Sequence, residues 1–507
     1  MMMTKKLIIT HFDHTFLRVD HRLIQSSKLN YSSVAFTVFI IFSLFINIKI
    51  TAAQLDNLVL EAEQHWDTYG VGGTCIAGTH NLAIADVDND GVKEIITGGF
   101  SYGMSNENRT SYGAPLRIWS WNGQNLTLEK GENWRGYIGC VWAGDADGNG
   151  EVEIVTVGGS LEIWNWYGQD LTLRGSYSGI SASSIFVDDV DKDSRPEILT
   201  VGRAYNDRHS NAQLAIWQWN GENLSLKKST EWSAINDTAR ANSVYAADLD
   251  NDNVIEIVTG GYINNPKNSS GQLRVWQFNG TDLALKANAE WRKVNGYALD
   301  SAGNVMGNTM VYNLKVADID NDGYPEIVTG GFTYNGAQVE AQFRVWNWTN
   351  NILNLEKSQE WATSDITELK AISLSDVDSD GRKEIVTCGL NCGYGSFAEN
   401  APNKSRAELK IWSWDGYNME LKLSTDWIVG EGVCAWNDGA EDVDNDGIVE
   451  IVTVGCMYIG TLCDPDLRIW SLPATSNSSA LLPYIAIAGV TIAVIVAILY
   501  LFVKRQR

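Results

Sequence analysis

The stretch Asp318-Ile319-Asp320-Asn321-Asp322-Gly323-Tyr324-Pro325-Glu326-Ile327 limits what this chain can fold into more than any other. Aspartates stand at positions 1, 3 and 5 of it, a glycine at 6 and a glutamate at 9. Alternate spacing lets three carboxylates converge as the loop curls, and glycine supplies a sharp turn. A hard cation that takes several oxygen ligands is caged in this way. The following run, Ile327 to Gly331, is β-branched and ends in glycines, so it is expected to be a strand. An EF-hand would carry its glutamate at position 12 between two helices, and this stretch does neither. It is a metal loop in a β-hairpin, and it occurs seven times.

The candidate ligands of the first loop are Asp86, Asp88, Asp90 and Glu94, and of the second Asp145, Asp147, Asn149 and Glu153. The third offers Asp189, Asp191, Asp193 and Glu197, with Ser194 at the turn, and the fourth Asp248, Asp250, Asp252 and Glu256, with Asn253 there. The fifth uses Asp318, Asp320, Asp322 and Glu326, the sixth Asp376, Asp378, Asp380 and Glu384, and the seventh Asp442, Asp444, Asp446 and Glu450. Asparagine tolerates a left-handed backbone better than serine, so loop three is expected to be the weakest or to stay empty. Single copies of such a stretch also arise as acidic turns. Seven copies at one spacing argue for a cation, because clustered carboxylates repel unless compensated. All-oxygen ligands in flexible loops favour calcium over magnesium, giving up to seven structural Ca2+ ions. The loops hold 27 of the 62 acidic residues, and seven divalent ions would move the formal charge from −24 to −10 (−24 + 14). That acidity excludes nucleic acid as an expected partner.

Each loop belongs to a unit of 44–70 residues, a period that signals propellers or solenoids. An apolar run such as Ser243–Asp248 leads into the loop, and a run such as Glu256–Gly261 follows it. A tryptophan strand comes next, as in Leu116–Gly123, and recurs at Leu161–Gly168, Leu214–Gly221, Leu273–Gly280, Phe343–Asn350, Leu409–Gly416 and Leu467–Leu472. Alternation places Leu116 and Ile118 on one face and Arg117, Trp119 and Trp121 on the other, so this strand is expected to be buried between layers. It holds 12 of the 20 tryptophans, which are read as core. Asn-Gly then turns the chain into a fourth strand ending at Trp134, Tyr177, Trp232, Trp291, Trp361 or Trp427. The seventh unit lacks this strand, but Leu58–Trp66 matches Leu126–Trp134 in spacing and character. The expected fold is therefore all-β: a seven-bladed β-propeller over 54–472 that the N-terminal strand closes.

The unit resembles the FG-GAP/VCBS repeat of integrin α-subunit propellers and of many prokaryotic surface proteins, over about residues 55–472. The resemblance implies that the acidic loop positions bind calcium between the first two strands of a blade. Thr-Gly-Gly stands where that family has Gly-Ala-Pro, and glutamate fills position 9.

The two ends suggest placement at a membrane. Residues 1–53 combine basic residues, the apolar run Val34–Ile46 and the small residues Thr51-Ala52-Ala53, the order of a secretory signal or N-terminal anchor. A linker, 473–480, precedes 23 uncharged residues, 481–503, long enough for a transmembrane helix, and 504–507 is a basic tail expected in the cytoplasm. Nine glycosylation sequons follow the expected cleavage site near Ala53, at Asn108, Asn125, Asn223, Asn236, Asn268, Asn279, Asn347, Asn403 and Asn477, and fit an extracellular glycoprotein. Among seven cysteines, Cys388 lies near Cys392 and Cys456 near Cys463 in the chain, with no zinc-type spacing. His65 is expected to pack in its strand. The loops opposite the cation turns vary, at Ser101–Ala114, Arg203–Ala212, Tyr262–Gly271, Arg292–Thr309 and Leu390–Ala407. Variable Asn-, Ser- and Tyr-rich loops on a rigid scaffold suit binding. The expected function is a membrane-anchored adhesion or binding module for a cell-surface protein or glycan. A carbohydrate-active enzyme of polysaccharide-lyase type and a purely structural envelope component are the alternatives. No catalytic acid/base constellation is found in the sequence.

Overall fold

A computed structural model describes residues 58–473, apart from 67–73, 105–109, 135, 206–208, 234–237, 265–268, 295–297, 300–304, 394–403 and 460–461. The expected leader 1–53, the linker from 474 on, the membrane helix 481–503 and the tail 504–507 lie outside the described residues. Among the described residues no helix is long and apolar enough to cross a membrane.

All the regular structure described is β. Thr309–Ala317, Glu326–Tyr334, Val339–Thr349 and Ile352–Trp361 pair in chain order as an antiparallel four-stranded sheet. The same order recurs over 74–134, 138–178, 182–232, 238–291 and 366–427. The remaining group joins Gly432–Glu441, Glu450–Ile459 and Leu462–Ser471 to Val59–His65, which pairs antiparallel with Leu462–Ser471 in the register Val59 to Ser471 and His65 to Asp466. As expected from the sequence, the N-terminal strand supplies the piece that the last unit lacks. His65 does more than pack, because its Nδ1 lies 3.1 Å from an oxygen of the buried Asp466.

Within each sheet, burial follows the sequence pattern. Second strands such as Glu326–Tyr334 are buried on both faces, and fourth strands such as Leu283–Trp291 are half exposed. The charged fourth strands therefore form the outer edge, where charge discourages pairing with other chains. The tryptophan strands are held by one repeated contact. The first indole donates to a buried threonine of the second strand in Trp119–Thr97, Trp164–Thr156, Trp217–Thr200, Trp276–Thr259, Trp346–Thr329, Trp412–Thr387 and Trp470–Thr453, at 2.9–3.2 Å. Each such bond contributes about 1 kcal/mol net and spares a buried N–H a larger penalty.

The same indoles join successive repeats. The aromatic ending each fourth strand lies against the next repeat's indole, with centroids 4.4–5.2 Å apart, in Trp134–Trp164, Tyr177–Trp217, Trp232–Trp276, Trp291–Trp346, Trp361–Trp412 and Trp427–Trp470. Trp66 of the N-terminal strand meets Trp119 of the first repeat in the same way, at 4.9 Å.

The Thr-Gly-Gly ending has a steric cause. A Cβ on Gly330 would stand 2.5 Å from side-chain carbons of Leu369 and Ile372 in the next repeat, and one on Gly331 would stand 2.0 Å from the Met310 carbonyl oxygen. The second contact arises because each first strand carries a β-bulge at one register, as between Val311 and Asn313.

Two outcomes are expected. Gly331→Ala should lower urea-unfolding stability by at least about 2 kcal/mol through overpacking, whereas Gly159→Ala, which has open space around it, should be near neutral. The hydrogen bond to Asp466 raises the His65 pKa above 6.5, against the opposing effect of burial. A raised folded-state value gives stability that is present below the unfolded pKa and lost as pH rises through the folded one. His65→Ala should therefore lower Tm at pH 5.5 and change it little at pH 8.5.

Candidate functional site

The acidic loops are built by their own carboxylates. The position-1 aspartate accepts the position-6 N–H in every loop: Asp86 from Gly91, Asp145 from Gly150, Asp189 from Ser194, Asp248 from Asn253, Asp318 from Gly323, Asp376 from Gly381 and Asp442 from Gly447, at 2.8–3.0 Å. Position 5 accepts the N–H of position 7, as in Asp322 to Tyr324 at 2.8 Å and Asn149 to Glu151 at 2.6 Å. The backbone enters the left-handed region at position 6, as the sequence implies, including Ser194 at φ 71° and Asn253 at φ 70°. It also does so at position 4, at Asn89, Lys192, Asn251, Asn321, Ser379 and Asn445. The recurrent asparagine there is the signal for this second left-handed residue.

The position-9 glutamate begins the second strand and is buried in all seven loops: Glu94, Glu153, Glu197, Glu256, Glu326, Glu384 and Glu450. One oxygen of each accepts the position-2 N–H at 2.8–3.2 Å. Burial lifts Glu94, Glu153, Glu197 and Glu450 to about 7, and Glu326 and Glu384 to about 8. At neutral pH such a group needs either a proton or a cation beside it.

Ligand atoms of Asp86, Asp88 and Asp90 lie within 4.8 Å of one another, as do those of Asp145, Asp147 and Glu153 in the second loop. The same holds for Asp248, Asp250 and Glu256, and for Asp318, Asp320 and Glu326. Buried oxygens of Asp250 and Asp318 have no hydrogen-bond partner. The donor set is entirely oxygen and fits a hard divalent ion. Position 3 also reaches the neighbouring repeat, because a Cβ on Gly416 would lie 2.7 Å from the Asp320 carboxylate, and one on Gly123 would lie 2.5 Å from that of Asp444. Position 4 does so too, with Asn251 donating to the Gly323 carbonyl and Asn321 to that of Gly381.

Loop three differs. Lys227, on the fourth strand of the same repeat, places Nζ 2.7 Å from Glu197 and 2.9 Å from Asp191, with Asp193 at 3.8 Å. Burial pulls its pKa down, but bonds to Glu197 and Asp191 more than offset this and leave it raised. Sequence reading flagged the poor turn residue of this loop and missed the lysine. Register alone does not give it away: the fourth strand has Lys227 after Leu226, but Arg174, Lys286 and Lys422 hold the same place in the second, fourth and sixth repeats, while the first and fifth have Glu129 after Leu128 and Glu356 after Leu355. Those glutamates add negative charge beside Asp88 and beside Asp320 and Asp322. Of the cysteines, Cys434 and Cys456 face each other across adjacent strands with sulfurs 3.3 Å apart, a proximity that chain separation hides.

Among curated proteins, none matches the sequence. Among solved structures, the chain is similar to Sqt1 of Chaetomium thermophilum, at 10% identity and a TM-score of 0.45, covering 83% of this chain and 100% of that one. It is also similar to a chain of the mitotic checkpoint complex, at 11% identity and a TM-score of 0.43, covering 84% and 99%. Neither likeness bears on what this chain binds. The FG-GAP-like repeat profile matches residues 189–259, from the start of loop three into the strand after loop four. The chain thus carries an FG-GAP-like repeat within a repeated all-β fold of four-stranded sheets, consistent with a propeller-type repeat protein.

Proposed function

We propose that this chain is a membrane-anchored, extracellular, calcium-stabilised seven-bladed β-propeller. It binds a cell-surface protein or glycan through the face opposite its cation loops. The observation that carries this reading is the division of labour between the two ends of each sheet. At the loop end, carboxylates and asparagines are committed to turn geometry and to contacts with the next repeat. Asp444 reaches Gly123, Asn445 donates to Gly91, and Lys93 pairs with Glu441 at 2.8 Å, linking last repeat to first. Together with the Val59–His65 pairing and the Trp66–Trp119 contact, these support closure into a ring. Such a scaffold leaves the opposite loops free to vary.

Calcium in this account is structural. It replaces the proton or counter-charge that the buried glutamates require and joins each loop to the second strand. Loop three is the exception, because the Lys227 ammonium already occupies the space between Asp191 and Glu197. It takes no divalent ion.

Three outcomes follow. A site saturated at a hundredfold over its Kd adds about 2.7 kcal/mol, so chelation should lower Tm markedly; an unchanged midpoint would remove calcium from the account. Lys227→Met should raise the calcium bound per chain by one equivalent, read by atomic emission after gel filtration, and an equal content would show that loop three binds the ion despite its lysine. A glycan and surface-protein binding screen with the full-length chain should give hits that are lost on trimming Leu390–Ala407; release of unsaturated sugars instead would establish an enzyme.

A further inference from the structure

The first strand of every repeat contributes to one cavity of about 800 Å³, with Asn81, Cys140, Ser184, Ser243, Asn313 and Asn437 at one level. That level lies beside the β-bulge that each first strand carries. The bulge breaks the inward–outward alternation and brings polar residues to the wall. Several of these tie neighbouring strands together: Asn242 donates to the Val311 carbonyl at 2.7 Å, and Asn437 to Asn81 at 3.1 Å. The Asn313 amide oxygen has no partner. A volume of this size suits a small molecule.

Two features of the wall stand out. The first is Asp438. Four residues before each cation loop the other repeats carry Leu82, Val141, Ile185, Val244, Leu314 and Ile372, and the last repeat alone has an acid. Asp438 is 5% exposed, and neither of its oxygens meets a hydrogen-bond donor. Lys315 lines the same cavity, with Nζ 6.0 Å from the centre of the Tyr245 ring, and together with Ser373 it only partly offsets the burial that pushes the Asp438 carboxyl up to about 7. An aliphatic residue would be more stable there than an unsatisfied carboxylate.

The second is a pair of arginines at the end remote from the cation loops. Arg240 lines the cavity and donates through Nε and Nη2 to Ser183 at 3.0 and 2.7 Å. Arg203 donates to the hydroxyl of Tyr262, another lining residue, at 2.5 Å, and its buried Nε has no partner. Among the described residues, the charged group acting on Arg240 is Arg203, with tyrosines around both and no carboxylate. Nearby Glu368 is paired with Lys370, and Lys370 lies 4.2 Å from the Tyr312 ring centre and 4.7 Å from that of Trp436. In a chain of net charge −24, two adjacent guanidinium groups with no acid beside them among the described residues form a place for an external anion.

We infer that this cavity binds an anionic saccharide, with its acid group at Arg203 and Arg240, its ring against Tyr312 or Trp436, and its hydroxyls directed to Asn313 and Asp438. An anion alone would leave Asp438 unsatisfied, and a neutral sugar would leave the arginines so. This deepens the binding reading above, rests on it, and names the ligand class.

The test is calorimetric titration of the full-length chain with a glucuronic-acid disaccharide, its neutral glucose counterpart and sodium sulfate. The acidic disaccharide should bind at least about tenfold more tightly than either of the others. Arg240→Met should weaken it by about tenfold or more. Asp438→Leu restores the residue type of the other repeats, so it should raise Tm while still weakening binding, a combination that a purely structural aspartate would not produce. Equal affinity for the neutral sugar, sulfate binding as tightly as the disaccharide, or full binding by Asp438→Leu would each overturn the inference. Surface ligands held equally by wild type and Arg240→Met would overturn it too, while leaving the opposite-face reading intact.

Discussion

The contact on which the rest of this structure depends is the indole held between two repeats. In Trp346, for example, Nε1 donates to Thr329 of its own sheet while the ring lies against Trp291 of the repeat before. The hydrogen bond orients the ring, and the ring then sets the spacing between sheets. A tryptophan buries a large apolar area and leaves one polar atom to satisfy, which is why the threonine in each second strand is as constant as the indole. In the fifth repeat the glycine after that threonine lets the next repeat's first strand approach, since a Cβ on Gly330 would meet Leu369 and Ile372 at 2.5 Å, whereas Val157, Val201, Cys388 and Val454 fill the same position elsewhere. Trp and Thr thus act as one unit, repeated around the chain.

Electrostatics acts at the other end of each sheet. Burying Glu326 at the foot of the second strand satisfies the Ile319 N–H and raises the carboxyl pKa to about 8. Asp318 and Asp320 converge on it. Such a cluster is costly when empty and stabilising when a positive charge enters it. Loop three resolves the same conflict with a lysine, because Lys227 is covalently present and needs no ion. One geometric problem therefore has two chemical answers in a single chain.

Much of this was legible from residue order. Carboxylate spacing, the Trp-x-Trp strands and the match of Leu58–Trp66 to Leu126–Trp134 report local backbone geometry and periodicity, which depend on neighbours in sequence. The left-handed residue at position 4, the Cys434–Cys456 approach and the His65–Asp466 contact were not read, because each depends on strand register. Lys227 was visible as a residue and not as a counter-ion, since its meaning comes from a hairpin that folds the fourth strand back over the loop.

By itself, the sequence determined an all-β repeat, the seven acidic loops and the strand that completes the last unit, because these follow from local spacing repeated many times. Only the tertiary structure decided which loop carries its own cation, where the bulges turn polar residues inward, and that Asp438 shares a cavity with Lys315 and Arg240. Those residues are far apart in the chain and come together only when the sheets pack side by side.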